Sequence, residues 1–211
     1  MEIKTIKSYW GENELKQNTH VIIGDKTCVV IDAGAPLQDV KNLTWLPIEA
    51  VFITHGHFDH VEYIEEYDKL GVPIYVSEET PMFLNDINLN VSRCKTYKVK
   101  NIVPLEDCDK IECCVGTIEC VKTPGHSDDS MCYLLHGETN TLFSGDTVFS
   151  VAIGRDDLPT GDTIQLLASL DKILNLNFNE MYTGHGRKST KEEQLSNIPR
   201  WINYFRNTKT Y

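Results

Sequence analysis

A chain of 211 residues and 24.0 kDa fits one domain over 1–211 and is long enough to bury about 70% of its unfolded surface. No apolar run approaches the ~18 residues of a membrane span, and the start MEIKTIKSYW lacks the basic and then apolar order of a signal peptide, so the cytoplasm is the expected compartment. A formal net charge of −11 opposes nucleic-acid backbones and anionic lipid, and seven cysteines without a CxxC pair indicate reduced thiols, not a disulfide framework or zinc ribbon.

The apolar runs Val21 to Ile23 and Cys28 to Ile31 flank polar Gly24, Asp25 and Lys26 and read as a hairpin ending at Asp32, Ala33 and Gly34. Pro36 suits the first turn of a helix with Leu37, Val40 and Leu43 on one face, and Pro47 marks its end. A buried strand, Val51 to Thr54, then delivers the chain to THGHFDH. Here three imidazoles and a carboxylate, His55, His57, Asp59 and His60, fall within six residues. Crowded histidines repel one another when protonated, and neutral imidazole is the commonest metal ligand, so a bound metal removes the conflict. Asp59 with Glu62 has the form of a capping box, and Val61, Ile64, Tyr67 and Leu70 recur at helical spacing before Gly71. That spacing puts His60 in a first helical turn, where the dipole disfavours imidazolium.

A short strand at Ile74 to Val76 and a helix around Pro81 to Ile87 follow. Lys98 to Val103, Ile111 to Val115 and Ile118 to Lys122 read as a meander running into Thr123, Pro124, Gly125, His126 and Ser127. The hairpin Met131 to Leu135 and Thr141 to Ser144 ends at Gly145, Asp146 and Thr147. A helix over Thr163 to Leu174 turns Ile164, Leu167, Leu170 and Leu174 inward, and Glu180 to Thr183 leads to Gly184, His185 and Gly186. The tail shows a second capping box, Ser189 with Glu192, then a helix interrupted near Pro199, with Trp201, Ile202 and Phe205 as an apolar seal. His126, Asp146 and His185 therefore each stand beside glycine just past a strand, where sites in α/β proteins gather. Nothing near His20 or His136 completes a site, and both are expected to be structural.

THGHFDH, TPGHS, FSGDTVF and TGHGR, in that order and spacing, resemble the metallo-β-lactamase fold superfamily over nearly the whole chain. The resemblance implies an α/β fold, a four-layer αββα sandwich of two mixed β-sheets flanked by helices. It also implies two divalent metal ions. His55, His57 and His126 would hold one, and Asp59, His60 and His185 the other, with Asp146 bridging; Asp59 and Asp146 are expected to act in catalysis. Zinc is the first expectation, and the N/O ligand set suits iron and manganese as well. A water shared by two such ions loses its proton near neutral pH, and the hydroxide would attack a carbonyl. Asp32 in VVIDAG matches the family's first motif, a carboxylate that orients a ligand histidine.

Within the superfamily, FSGDTVFSVAIGRDDLPTGD and the segment NLNVS at Asn88 to Ser92 resemble hydroxyacylglutathione hydrolases (glyoxalase II) and their short relatives. This implies hydrolysis of a small-molecule thioester such as S-lactoylglutathione. Residues 186–211 are too few for the helical C-terminal domain with which full-length members grip glutathione, so that domain is expected to be missing. Arg155 falls where the family places a basic residue for the glutathione carboxylate. Asp128 and Asp129 stand where relatives commonly have an uncharged pair, which argues against a highly anionic substrate. The position of Asp146 is usually cysteine in zinc β-lactamases, so antibiotic hydrolysis is not expected. The rival readings are a persulfide dioxygenase with one iron on His55, His126 and Asp146, a lactonase or RNase Z type phosphodiesterase, and a non-catalytic binding module. Oligomeric state is left open.

Overall fold

The computed structural model describes residues 1–10, 15–92 and 94–208, with the backbone alone described at Trp10, Leu15 and Lys16. One sheet comprises β1 (Glu2–Trp10), β2 (Leu15–Ile23), β3 (Cys28–Ile31), β4 (Ile48–Phe52), β5 (Ile74–Ser77) and β6 (Ile102–Leu105), adjacent in chain order. Its first three strands are antiparallel and β3 to β6 are parallel. The other sheet comprises β7 (Lys110–Cys113), β8 (Gly116–Lys122), β9 (Met131–His136), β10 (Thr141–Phe143), β11 (Glu180–Tyr182) and β12 (Ser189–Thr190), also in chain order. All its pairs are antiparallel except β10 with β11.

Alternation along the strands builds three stacked cores. In β3, Val29 and Ile31 face the second sheet and meet Phe52, Ile118, Met131, Tyr133 and Phe143 between the layers. Cys28 and Val30 face the other way, against α1 (Leu37–Leu43), α2 (Phe58–Val61), α3 (Ile64–Asp68) and α4 (Thr80–Asn85). The outer face of the second sheet, with Cys132, Leu134, Leu142 and Met181, packs on α5 (Thr163–Asn175) and α6 (Lys191–Thr208). The result is the helix, sheet, sheet, helix sandwich. Each fully buried Ile, Leu, Val or Phe contributes roughly 1.5–3 kcal/mol.

Several elements differ from the sequence reading. β1 was not anticipated: its strong hydrophobes, Ile3 and Ile6, are three apart and break the two-residue period, because β1 is an edge strand with half its side chains exposed. The strand expected at Lys98 to Val103 starts at Ile102 and joins β5 in the first sheet, so there is no three-strand meander. The amides of Lys98 and Lys100 instead donate to Glu65 and Asp68 on α3, and Pro104 is tolerated because β6 is an edge. The helix after the histidine cluster is broken into α2 and α3. No Asp59–Glu62 capping box forms: Glu62 accepts from Lys95 Nζ (3.1 Å) and the Tyr97 hydroxyl (2.9 Å), and Asp59 turns to His185. In α5, Leu170 is buried and Leu167 and Leu174 pack half-buried on the same core, joined by Leu166, Ser169 and Ile173, while Ile164 is exposed in the first turn, where the Asp162 side chain caps the Gln165 amide (2.9 Å). The last capping box pairs Thr190 with Glu193, one residue later than expected, and α6 runs through Pro199.

Candidate metal centre

Strand direction brings the candidate side chains together. β8, β10 and β11 run the same way, so the loops carrying His126, Asp146 and His185 leave the second sheet at one edge. Across the sandwich, β4 ends at Phe52 and the chain turns through His55 to α2. Two bonds pin the sheets here: the Tyr133 hydroxyl donates to the Ile53 carbonyl (2.7 Å) and the Met131 amide to the Thr54 carbonyl (2.8 Å). Gly184 is required by close approach, since a Cβ there would lie 2.1 Å from Asp146 Oδ1.

Three interlocked groups result: His55, His57 and His126; His55, His60 and Asp146; Asp59, His60 and His185. Within each, one ligand-type atom per residue lies within 4.8 Å of the others. Three of the rings are oriented from behind. Thr54 Oγ1 lies 3.1 Å from His55 Nδ1 and donates to Asp32, so the ring presents Nε2 inward. His60 Nδ1 donates to Asp32 Oδ2 at 2.7 Å, and His126 Nδ1 donates to the Arg155 carbonyl at 2.8 Å. The inward nitrogens then crowd together: His126 Nε2 is 3.0 Å from His57 Nδ1, and His60 Nε2 is 3.5 Å from His185 Nε2. His185 Nε2 lies 3.2 Å from Asp146 Oδ2 and 3.3 Å from Asp59 Oδ2. Among the described residues, buried His55 Nε2 has no hydrogen-bond partner, and Asp146 Oδ1 has no well-aligned donor, with His60 Nε2 3.3 Å away. Orphaned buried acceptors aimed at one space, with nitrogen and carboxylate donors only, fit divalent cations.

The electrostatics divide the cluster. Burial, reinforced by His60 and His57, holds His55 well below the ordinary histidine range, and burial with neighbouring His126 takes His57 down to about 3. Both rings are neutral and ready to ligate. His60 and His185 behave differently. Burial opposes their charge, yet Asp32, Asp146 and Asp59 hold His60 well above its ordinary value, and Asp146 and Asp59 carry His185 up to about 10. The dipole argument for a neutral His60 therefore fails: α2 is a single turn of four residues, and the carboxylates dominate. Burial pushes Asp146 up, but His185 and His60 hold it well below the carboxylate range. With carboxylates flanking them, these protons are replaceable by cations of higher charge.

Asp32 stands behind His60, with φ 65° and its carboxylate also taking the Thr54 amide at 2.7 Å. The Arg155 side chain is not part of the cluster: its exposed guanidinium makes a two-pronged pair with Asp157, and only its carbonyl reaches His126. Asp129 is no surface acid. It is completely buried, accepting from the Gly56 amide and the Ser127 hydroxyl, both at 2.7 Å, so it bears on loop packing and not on substrate charge. His20 is structural, with Nδ1 on Thr5 and Nε2 on the Thr183 carbonyl, and His136 pairs with Glu119. The sequence reading missed Thr54, whose only signal was its place beside His55. It also missed the role of Asn90, whose carbonyl receives the Phe58 amide (2.8 Å) and holds the start of α2.

Residues 13–185 match the profile of the metallo-β-lactamase superfamily. A probable metallo-hydrolase of Methanocaldococcus jannaschii is 33% identical over 186 residues, covering 80% of this chain and 87% of that protein. A hydroxyacylglutathione hydrolase of Saccharophagus degradans is 34% identical over 177 residues, which is 81% of this chain and 58% of that protein. The crystal structure of the B3 metallo-β-lactamase BLEG-1 superposes with a TM-score of 0.81 at 30% identity, over 94% of this chain and 99% of that one. That of TTHA1623 in a di-iron-bound form gives 0.76 at 26% identity, over 92% and 99%. Histidines and aspartates converging on one edge of a double-sheet sandwich thus have their counterpart in sequence, and the chain belongs to the metallo-β-lactamase superfamily, among relatives named as metallo-hydrolases.

Proposed function

We propose that this protein is a dinuclear metal-dependent hydrolase of a small-molecule thioester, of which S-lactoylglutathione is the first candidate. The observation that carries the reading is the set of inward-facing nitrogens and carboxylates from both sheets, with buried acceptors left unpaired between them. His55, His57 and His126 are assigned to one ion, Asp59, His60 and His185 to the other, and Asp146 to both. When bound, two divalent ions supply Lewis acidity at a carbonyl and make water acidic enough to ionise near neutral pH. The protein's part is to hold the geometry: Asp32, Thr54 and the Arg155 carbonyl fix three ring orientations before any substrate arrives. Asp59 is assigned to take the proton of the attacking water and return it to the departing sulfur, while Asp146, held well below the carboxylate range, would serve catalysis by holding the ions. The acyl carbon to sulfur bond then breaks, giving a carboxylic acid and a thiol. The likeness to a hydroxyacylglutathione hydrolase supports the thioester, and the di-iron form of TTHA1623 supports two ions, with zinc, iron and manganese all suited to the ligands.

The reading takes a cytoplasmic enzyme of one domain acting on a small molecule, without nucleic acid or membrane; among the described residues no helix is long and apolar enough to cross a membrane. The test is a substrate panel on protein of measured metal content: S-lactoylglutathione, other thioesters, lactones, a β-lactam, and glutathione persulfide with oxygen consumption followed. Two ions per chain with thioester turnover exceeding the rest is the expected result. One iron per chain with oxygen uptake, or β-lactam turnover above that of every thioester, would overturn it.

A further inference from the structure

Asp129 crosses from one sheet to the other beside the three-histidine half of the cluster. It leaves the second sheet in the loop after His126, and its Oδ2 accepts the amide of Gly56, the residue between His55 and His57. Its other oxygen is fixed by Ser127 Oγ at 2.7 Å, and that hydroxyl sits 2.8 Å from Ser130 Oγ. A carboxylate wholly out of solvent is costly unless donors surround it, so this one is not a solvated loop acid. Gly56 is confined from the other side as well, since a Cβ there would lie 2.4 Å from Phe83 Cβ and 3.1 Å from Asp129 Oδ2. The plane of the Gly56 peptide sets where the two flanking histidines leave the backbone. Its hydrogen-bond partner belongs to the loop that carries the third, whose Nε2 is 3.0 Å from His57 Nδ1.

We infer that Asp129 is a positioning residue for the ion held by His55, His57 and His126, fixing the distance between the two loops through the Gly56 amide. The inference rests on the metal assignment made above and concerns binding alone, so it is tested without substrate. Apo protein is titrated with zinc against a chromophoric chelator for the wild type, Asp129→Asn, Asp129→Ala and Ser127→Ala. The wild type binds two ions. Asp129→Ala leaves the Gly56 amide without an acceptor and weakens one ion about 10- to 100-fold while the other keeps its affinity. Asp129→Asn restores the wild-type affinities to within about threefold, because an amide oxygen still receives Gly56 and Ser127 can turn to accept from the new NH2 group. If Asp129→Ala does not fold, Ser127→Ala carries the test, with a several-fold loss on one ion expected. Wild-type affinities in Ser127→Ala and Asp129→Ala, or equal weakening of both ions that Asn does not relieve, would overturn the inference and leave the metal assignment standing. A wild type that binds no zinc would overturn both.

Discussion

At φ 65° Asp32 occupies the left-handed region that most side chains avoid, and its carboxylate still collects the Thr54 amide, the Thr54 hydroxyl and the His60 ring. Asp32→Ala therefore loses three hydrogen bonds and the residue type that tolerates the backbone. Metal affinity is expected to fall about 10- to 100-fold by chelator competition, with a stability loss larger than that of Asp32→Asn, which accepts the same φ. His20 gives a pH signature at a ring outside the ligand set. Burial, aided by His60 and partly opposed by the Thr183 carbonyl, lowers it to about 4. Between pH 6.5 and 4 the unfolded chain therefore binds a proton at this ring that the folded chain does not, so its contribution is present above 6.5 and is lost as pH falls. The stability difference between the wild type and His20→Gln, measured by urea denaturation, should shrink by roughly 3 kcal/mol across that window. A pH-independent difference would contradict a neutral buried ring. All seven candidate ligands were legible in the sequence because their types and glycine-flanked positions advertise chemistry. Of the residues that aim them Asp32 was legible, but Thr54, a common strand-end hydroxyl, and the Asn90 and Arg155 carbonyls were not, because residue type does not report which hydroxyl or backbone group a fold brings behind a ligand.

Helix α6 acts on the site at one remove. Gln194 donates to the carbonyls of Phe149 and Ser150, Asn197 to Phe149, and Trp201 Nε1 to Val151. These rungs hold the loop whose Phe149 ring packs edge-on against His185, with centroids 5.9 Å apart. Gln194→Ala should cost ~1–3 kcal/mol by chemical denaturation, since Gln194 is fully buried and its removal strands the Ser150 carbonyl and leaves Phe149 to Asn197 alone. Pro199 lies inside α6 and cannot donate to the preceding turn. Pro199→Ala should raise stability by on the order of 1–3 kcal/mol, and a fall would mean the proline is needed for the docking of α6. Long strands with alternating or continuous apolar runs were legible from sequence. The break between α2 and α3 was not, because Val61, Ile64 and Tyr67 keep helical spacing across it and are all buried. What interrupts the helix is tertiary: Glu62 is drawn to Lys95 and Tyr97, and the Tyr63 amide to the Ala33 carbonyl.

On the scale of the molecule, the candidate ligands are divided between the sheets, four after β4 and three after β8, β10 and β11. Bound cations would cross-link the two layers in the folded state only. Thermal unfolding followed with and without a chelator should show a loss in Tm on the order of 10 °C on metal removal, as expected for occupancy at 100 to 1,000 times the dissociation constant. A Tm indifferent to chelation would mean that the layers hold without them. The layered architecture was legible because strand-rich halves, each with helices, carry motifs that resemble a family of known sandwich fold; what faces what was not, since β6 and β7 are neighbours in sequence but belong to different sheets.

In both sheets every strand lies beside its immediate predecessor or successor in the chain. The antiparallel hairpins of each layer can therefore form from short-range pairings during refolding, while the parallel pairs, such as Thr141 with Glu180, and the closing of one layer on the other carry the longer search. The ligand set is completed by that last step. Refolding watched by far-ultraviolet circular dichroism should accordingly run ahead of the appearance of high-affinity zinc uptake, and zinc added at time zero should leave the earlier phase unhurried.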